Sequence, residues 1–319
     1  MGLELTLGGD AVTKEAMIVD CHTHVFQSVE QLGRGTGLWS GRPLGRRTSQ
    51  PPPQADEAAH AAATRPADKV FVLAFRSYYL DAHVPNEDVA RYVQRYPDRL
   101  IGFAGIDPTR PKEAIDELRQ AHDELGFKGL NIWPAAQDFH PASSSAMRLY
   151  TEASRLRMPI MIHQDVQAAG NTKMEYARPY LVDEIAREFP DLRIIVSQLG
   201  YPWTEEMIVL LGKHRNVFAD ISGLLHHQWM AYNALLSAYQ AGVMDSLLFG
   251  SNFPYATTAQ CIETLYSINQ FCHGTSLPTI PREQLRQIVE RDALSLLGIT
   301  SDHIEPLAEP DTTLIRAEE

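Results

Sequence analysis

Short runs of β-branched and other apolar residues alternate along the chain with longer stretches in which apolar positions recur every three or four residues. The short runs predict eight strands: Ile18 to His24, Val70 to Phe75, Leu100 to Ile106, Lys128 to Trp133, Pro159 to His163, Leu192 to Gln198, Asn216 to Ser222 and Ser246 to Asn252. Most are apolar at nearly every position, the pattern of a strand covered on both faces. The stretches between them carry helical spacing. From Lys112 to Gly126 the residues Ile115, Leu118 and Leu125 fall on one helical face. From Pro281 to Gly298 the residues Leu285, Ile288, Val289, Ala293, Leu296 and Leu297 do the same, with Pro281 opening and Gly298 closing a final helix.

Eight strand-then-helix units predict an α/β fold, a single (β/α)8 TIM barrel with a long loop after strand 1 and an extra C-terminal helix. Parallel strands need a helix on the outer face and a packed interior on the other. A doubly wound open sheet is the alternative, but no strand leads into the Gly-x-Gly-x-x-Gly turn that cradles a dinucleotide. The expected layout is an N-terminal extension at 1–16, the barrel at 17–299 and an acidic C-terminal tail at 300–319. Residues 26–55, inside the barrel, are rich in glycine and proline and carry Arg34, Arg42, Arg46 and Arg47. A loop of that length leaving the C-terminal end of a barrel strand reads as a lid-like insertion or an oligomer contact.

A barrel gathers its chemistry where the strands end, and polar residues collect there: His22, His24, Arg76, Asp107, Asn131, His163, Gln198, Asp220 and Asn252. The first strand is the most telling, Met17-Ile18-Val19-Asp20-Cys21-His22-Thr23-His24. Alternate side chains of a strand share a face, so His22 and His24 converge while Asp20 is expected deeper on the same face. Two neutral imidazoles placed this way supply half of a tetrahedral metal site.

Composition narrows the partners. A chain of 319 residues with 44% hydrophobic positions can bury a large core. Its 28 basic residues stand against 40 acidic ones, and a net charge of −12 argues against nucleic acid and for a small molecule. Cys21, Cys261 and Cys272 are odd in number with no Cys-x-x-Cys spacing, which fits a reducing compartment. The first residues lack the basic start and apolar run of a secretory signal, and no stretch is apolar enough to span a bilayer. A cytoplasmic protein with no membrane partner is expected, and a homo-oligomer is compatible with it.

Six segments in order carry a resemblance: Val19-Asp20-Cys21-His22-Thr23-His24, Gly126-Phe127-Lys128-Gly129, Pro159-Ile160-Met161-Ile162-His163, Ser197-Gln198-Leu199-Gly200, Phe249-Gly250-Ser251-Asn252-Phe253-Pro254 and Asp292-Ala293-Leu294-Ser295-Leu296-Leu297-Gly298. Through them the chain, from about Met17 to Ile299, resembles the amidohydrolase superfamily. The similarity is to its amidohydrolase-related branch, which includes aminocarboxymuconate semialdehyde decarboxylase, resorcylate decarboxylases and several hydrolases. The resemblance implies that His22, His24 and His163 bind one divalent metal, most readily zinc. A strand-eight aspartate would complete the coordination and accept a proton, and a strand-six histidine would polarise the substrate. Here those two positions are Asn252 and Gln198. An asparagine can offer a carbonyl oxygen to a metal, but it carries no charge and is no general base, and glutamine does not titrate.

The expectation is therefore an enzyme hydrolysing a small carboxylate-bearing substrate at a mononuclear metal site. A non-oxidative decarboxylase is the alternative within the family. From another class comes a catalytically impaired ligand-binding barrel, or an inactivated variant, because of Gln198 and Asn252. If the chemistry runs, another group must move the proton, and Asp165, Asp220, Glu205, His226 and His227 are the candidates near strand ends five to seven. Arg76, Lys128 or Lys173 would suit the substrate carboxylate, although Lys128 starts its strand and so belongs to the opposite rim. Trp133 and Tyr255, with Trp203, Trp229, Tyr78 and Tyr79, are candidates to wall an aromatic or conjugated substrate.

Overall fold

Ten strands form in the computed structural model, which describes residues 16–35, 54–164 and 172–299. They are β1 (Val19–His24), β2 (Lys69–Leu73), β3 (Phe75–Ser77), β4 (Ala82–Val84), β5 (Leu100–Gly105), β6 (Gly129–Ile132), β7 (Ile160–Ile162), β8 (Ile194–Val196), β9 (Val217–Asp220) and β10 (Leu247–Leu248). Eight of them pair in parallel in the order β1-β2-β5-β6-β7-β8-β9-β10. The segment after β10 then returns to β1. Cys21 N donates to Phe249 O at 2.9 Å, Asn252 N to His22 O at 2.9 Å and His24 N to Phe253 O at 3.0 Å, so the sheet closes on itself. The expected (β/α)8 TIM barrel is the observed fold, with all eight strands in their predicted places. Most of the expected N-terminal extension, residues 36–53 of the lid-like insertion and the acidic tail lie outside the described residues.

The period-2 geometry of a strand explains why these segments read as continuously apolar. One set of residues fills the barrel interior: Val19, Cys21, Phe71, Leu73, Phe103, Met161, Ile195, Phe218 and Leu248, with Ala293, Leu297 and Ile299 of the C-terminal segment packed against them. The alternate set, including Val70, Val72, Leu130, Ile132, Ile160, Ile162, Ile194, Val196 and Val217, belongs to the larger core under the helices. Gly129 is bare for a steric reason: a Cβ there would lie 2.2 Å from the Phe103 ring that fills the interior.

Helices follow the strands in turn, among them Glu57–Ala63, Asn86–Gln94, Pro111–Asp123, Ser144–Arg155, Val182–Glu188, Thr204–Lys213, Gln228–Gln240 and Thr258–Tyr266. Two expectations change. Phe75 leaves the second barrel strand for the antiparallel hairpin β3-β4. The final helix is two, Arg282–Val289 and Ala293–Leu297, because the Asp292 carboxylate accepts from Ser295 N at 3.1 Å and caps a new start. Gly298, at φ 67°, ends the second one as expected.

The strand that carries the histidine pair is irregular. Asp20 pairs with Val70, but the next paired residue, Thr23, meets Val72, so β1 holds one residue more than β2 over that span. A bulge of this kind re-aims side chains. It corrects the expectation that Asp20 shares the histidine face: its carboxylate accepts from Ser251 N at 2.9 Å and Thr258 Oγ1 at 2.7 Å, tying β1 to the helix after β10. Cys21, Cys261 and Cys272 are buried free thiols. Among the described residues no helix is long and apolar enough to cross a membrane.

Candidate metal centre

Beyond the bulge, β1 delivers His22 and His24 to the C-terminal mouth of the barrel, and the residue after β7 delivers His163. The three are 0%, 3% and 1% exposed. Nε2 of His22 and Nε2 of His24 face each other at 3.1 Å, and one ligand nitrogen from each of the three histidines lies within 4.8 Å of the others. Two nitrogens bound tetrahedrally to one zinc at about 2.0–2.1 Å would be about 3.3 Å apart, so the β1 pair is already near ligand spacing. Burial, and after it the neighbouring imidazoles, push His24 and His163 well below the usual histidine range. Both rings are thus neutral and keep a lone pair for a cation. His163 Nε2 is buried without a hydrogen bond, an expense that a bound cation would remove. On these grounds a divalent metal fits.

His22 is held from behind. Its Nδ1 donates to Asp220 Oδ2 at 3.0 Å and lies 3.0 Å from Ser222 Oγ. With the ring proton engaged at Nδ1, Nε2 presents its lone pair to the centre. Asp220 has no oxygen to spare for other work, because Oδ1 accepts from Gln198 N at 3.1 Å, Ser222 N at 2.9 Å and the Ser222 hydroxyl. The sequence proposed Asp220 as a catalytic group, and the structure places it as the carboxylate that orients His22.

Gln198 and Asn252 both adopt left-handed backbone, at φ 55° and 58°, where strands end. They are 6% and 8% exposed. Gln198 lies against Gly223, where a Cβ would approach its Cδ to 2.7 Å. Neither side-chain amide makes a hydrogen bond among the described residues. Trp133 stacks on His163, ring centroids 4.7 Å apart at 24°, and forms a wall of the centre.

The profile of the amidohydrolase family matches residues 19–299, which spans the barrel and every residue of this centre. The chain belongs to the amidohydrolase family. It is 24% identical over 166 residues to the gamma-resorcylate decarboxylase of Rhodococcus jostii (strain RHA1), a match over 43% of this chain and 49% of that protein. The match therefore spans about half the length of that curated relative. Among solved structures, an uncharacterized TIM-barrel protein from Bordetella bronchiseptica is similar with a TM-score of 0.66 at 20% identity, covering 88% of this chain and 98% of that one. The 5-carboxyvanillate decarboxylase of Novosphingobium aromaticivorans, complexed with manganese and 4-hydroxy-3-methoxy-5-nitrobenzoic acid, has a TM-score of 0.58 at 14% identity, covering 89% of this chain and 96% of that one. At these identities the structural likenesses show the fold alone.

The other residues singled out in this amidohydrolase-family chain scatter. Tyr255 follows Asn252, its N donating to Asn252 O at 3.0 Å, and its ring lies 6.4 Å from that of His226. His226 Nε2 is buried and unpartnered, and burial pushes the ring down to about 4. Arg76 is not brought to the histidines: its guanidinium lies over the Tyr78 ring at 4.5 Å and lines a separate pocket with His83, Asn86, Glu87 and Glu117. Asp165 lies outside the described residues. Glu205 is exposed on its helix, and Lys173 pairs with Asp138 at 3.3 Å. Lys128 precedes β6, at the rim opposite the histidines. Trp229 is 51% exposed, and Trp203 lies under the Arg178 guanidinium at 5.0 Å.

Two contributors escaped the sequence reading. Ser222 could have been found from its spacing, since Asp220-Ile221-Ser222 puts both polar groups on one side of a strand end. His60 had no such signal in its alanine-rich helix. It accepts or donates at 2.9 Å with Thr23 Oγ1 and at 2.9 Å with the Tyr92 hydroxyl, bracing β1 behind the histidine pair.

Proposed function

We propose that the chain is a divalent-metal enzyme that removes the carboxylate of a small aromatic or conjugated acid as carbon dioxide. The observation that carries this reading is the convergence of three buried histidine side chains at one point of the mouth, with Trp133 stacked beside them. His22, His24 and His163 would hold the cation, which supplies a Lewis-acid anchor for an anionic substrate. Asp220 keeps His22 in the tautomer that such a role requires. Trp133 offers a flat face to a conjugated ring. The amides of Gln198 and Asn252 are free to hydrogen-bond substrate oxygens. Support for decarboxylation over the hydrolysis expected from sequence comes from the relatives, since both the gamma-resorcylate and the 5-carboxyvanillate proteins are decarboxylases. The manganese in the latter makes that ion as good a candidate as zinc.

Hydrolysis remains a second reading on one observation, that a three-histidine donor set suits a catalytic zinc with an open position. The two separate in one assay. Protein loaded with manganese or zinc is given a panel of hydroxybenzoic and muconate-type acids together with carboxylated lactones, whose ring opening by water releases a proton, and carbon dioxide and total acid are both followed. Carbon dioxide release is expected. Acid release without it supports hydrolysis, and neither product with metal bound leaves a ligand-binding barrel.

A further inference from the structure

The polar groups nearest this centre carry no negative charge that a cation could use directly. His22, His24 and His163 offer imidazoles, which carry no negative charge. Asn252 and Gln198, buried at the same mouth, are amides. Asp220 spends both oxygens on His22, Ser222 and Gln198 N, and Asp20 faces Ser251 and Thr258. Among the described residues no other carboxylate joins the three histidines. A divalent cation held here keeps most of its charge inside a buried mouth, where uncompensated charge is far more costly than in water.

We propose that this site takes its divalent cation and a carboxylate-bearing ligand as a cooperative pair, the ligand supplying the anionic donor that Asn252 does not. The inference rests on the metal reading above and adds the coupling. Metal alone should bind weakly, because three imidazoles and an amide leave its charge uncompensated. A carboxylate alone should also bind weakly, because the converging groups are imidazoles, and Arg76 lines a separate pocket. Each should raise the affinity for the other by the same factor, as linkage requires. Asn252 sets the size of that factor. Its N donates to His22 O at 2.9 Å, which places residue 252 beside the first metal-facing histidine, and an aspartate there would supply the missing charge from within the chain.

The test is a titration of metal-free full-length protein with manganese, read by the spin resonance of free ion, with and without 2,6-dihydroxybenzoate. The amide analogue 2,6-dihydroxybenzamide is the neutral control. Carboxylate should tighten manganese binding at least about tenfold, and manganese should tighten carboxylate binding by the same factor, within the usual range of such couplings. The amide should do neither. Asn252→Asp should bind manganese more tightly on its own and lose most of the coupling. Manganese that binds equally well with and without the acid overturns this inference while leaving the metal centre standing. So does equal coupling by the amide analogue. Failure to bind manganese or zinc under either condition overturns the metal centre as well.

Discussion

Replacing Asp220 by asparagine tests the central geometric claim, because it keeps the shape of the side chain and breaks its pairing. The carboxylate accepts from one side the His22 Nδ1 proton at 3.0 Å and from the other Gln198 N, Ser222 N and the Ser222 hydroxyl. All of these are donors or can act as donors. An amide has one acceptor end, so whichever way it turns, its NH2 group faces something that already donates. If NH2 faces His22, Nδ1 must become the acceptor and the ring proton moves to Nε2, the nitrogen whose lone pair the metal needs. If NH2 faces Gln198 and Ser222, two backbone N–H groups are left buried and opposed. Hydrogen bonds to charged groups contribute about 1.5–3 kcal/mol each, and losing the outer partner of a ligating histidine lowers metal affinity about 10–100-fold. At about 1.4 kcal/mol per decade, Asp220→Asn should therefore weaken manganese or zinc binding by about 1.4–2.7 kcal/mol. The measurement is metal affinity by calorimetry on protein shown to be folded by circular dichroism. Ser222→Ala, which removes a neutral partner, should have the smaller effect. Folded Asp220→Asn protein that binds metal within about threefold of the parent would refute the claim that Asp220 sets the His22 tautomer.

Three further outcomes follow from the same coordinates. His22→Ala should abolish most metal uptake, measured by elemental analysis after incubation with excess ion, because it removes one of three converging donors. Restoring titratable groups with Asn252→Asp and Gln198→His together should raise turnover about a hundredfold or more on a panel of small carboxylates, since acid and base groups contribute about 10²–10⁴ each; a parent already as fast as the double variant would show that another residue moves the proton. Stability should fall as the pH drops below about 6.5. His60 is fully buried and held down to about 3 from an ordinary 6.5, chiefly by burial, so the unfolded chain takes up a proton that the native ring refuses. Thermal or urea melts should lose on the order of 4 kcal/mol from this residue by pH 3, and His60→Gln should flatten that dependence.

The barrel was legible because its physics is local and periodic. Eight apolar runs separated by helical spacing can be covered on both faces in few ways, and each run proved to be a strand. The convergence of His22, His24 and His163 was legible only with the family pattern added, since nothing in strand periodicity brings residue 163 to residues 22 and 24. What stayed hidden depends on long-range pairing. The bulge in β1 appears only when Asp20 and Thr23 are matched against Val70 and Val72, and it sends Asp20 to Thr258 rather than to the histidines. Arg76 lies away from its expected place for a similar reason. A residue near a strand end is expected to face the mouth, but the β3-β4 hairpin carries this one sideways onto Tyr78. His60 was invisible because its value lies in partners 37 and 32 residues away.

Part of the irregular backbone of this chain lies at the mouth, and its contacts there can be traced bond by bond. Gln198 and Leu199 stand at φ 55° and 49°, a region that side chains other than glycine, asparagine and aspartate enter reluctantly and at a cost of about 1–3 kcal/mol each. That turn aims the Gln198 N–H at Asp220 Oδ1, 3.1 Å away. Asp220 in turn fixes the proton on His22 Nδ1, and His22 Nε2 is left facing His24 Nε2. The strain at residue 198 is thus connected to the lone pair at residue 22 through one carboxylate. Asn252, at φ 58°, suits its conformation better and donates its N–H to His22 O, holding the same histidine through its backbone. Both altered positions therefore act on His22 through main-chain groups that do not depend on the side chain present. This explains how a chain with glutamine and asparagine at these places holds the three-histidine geometry.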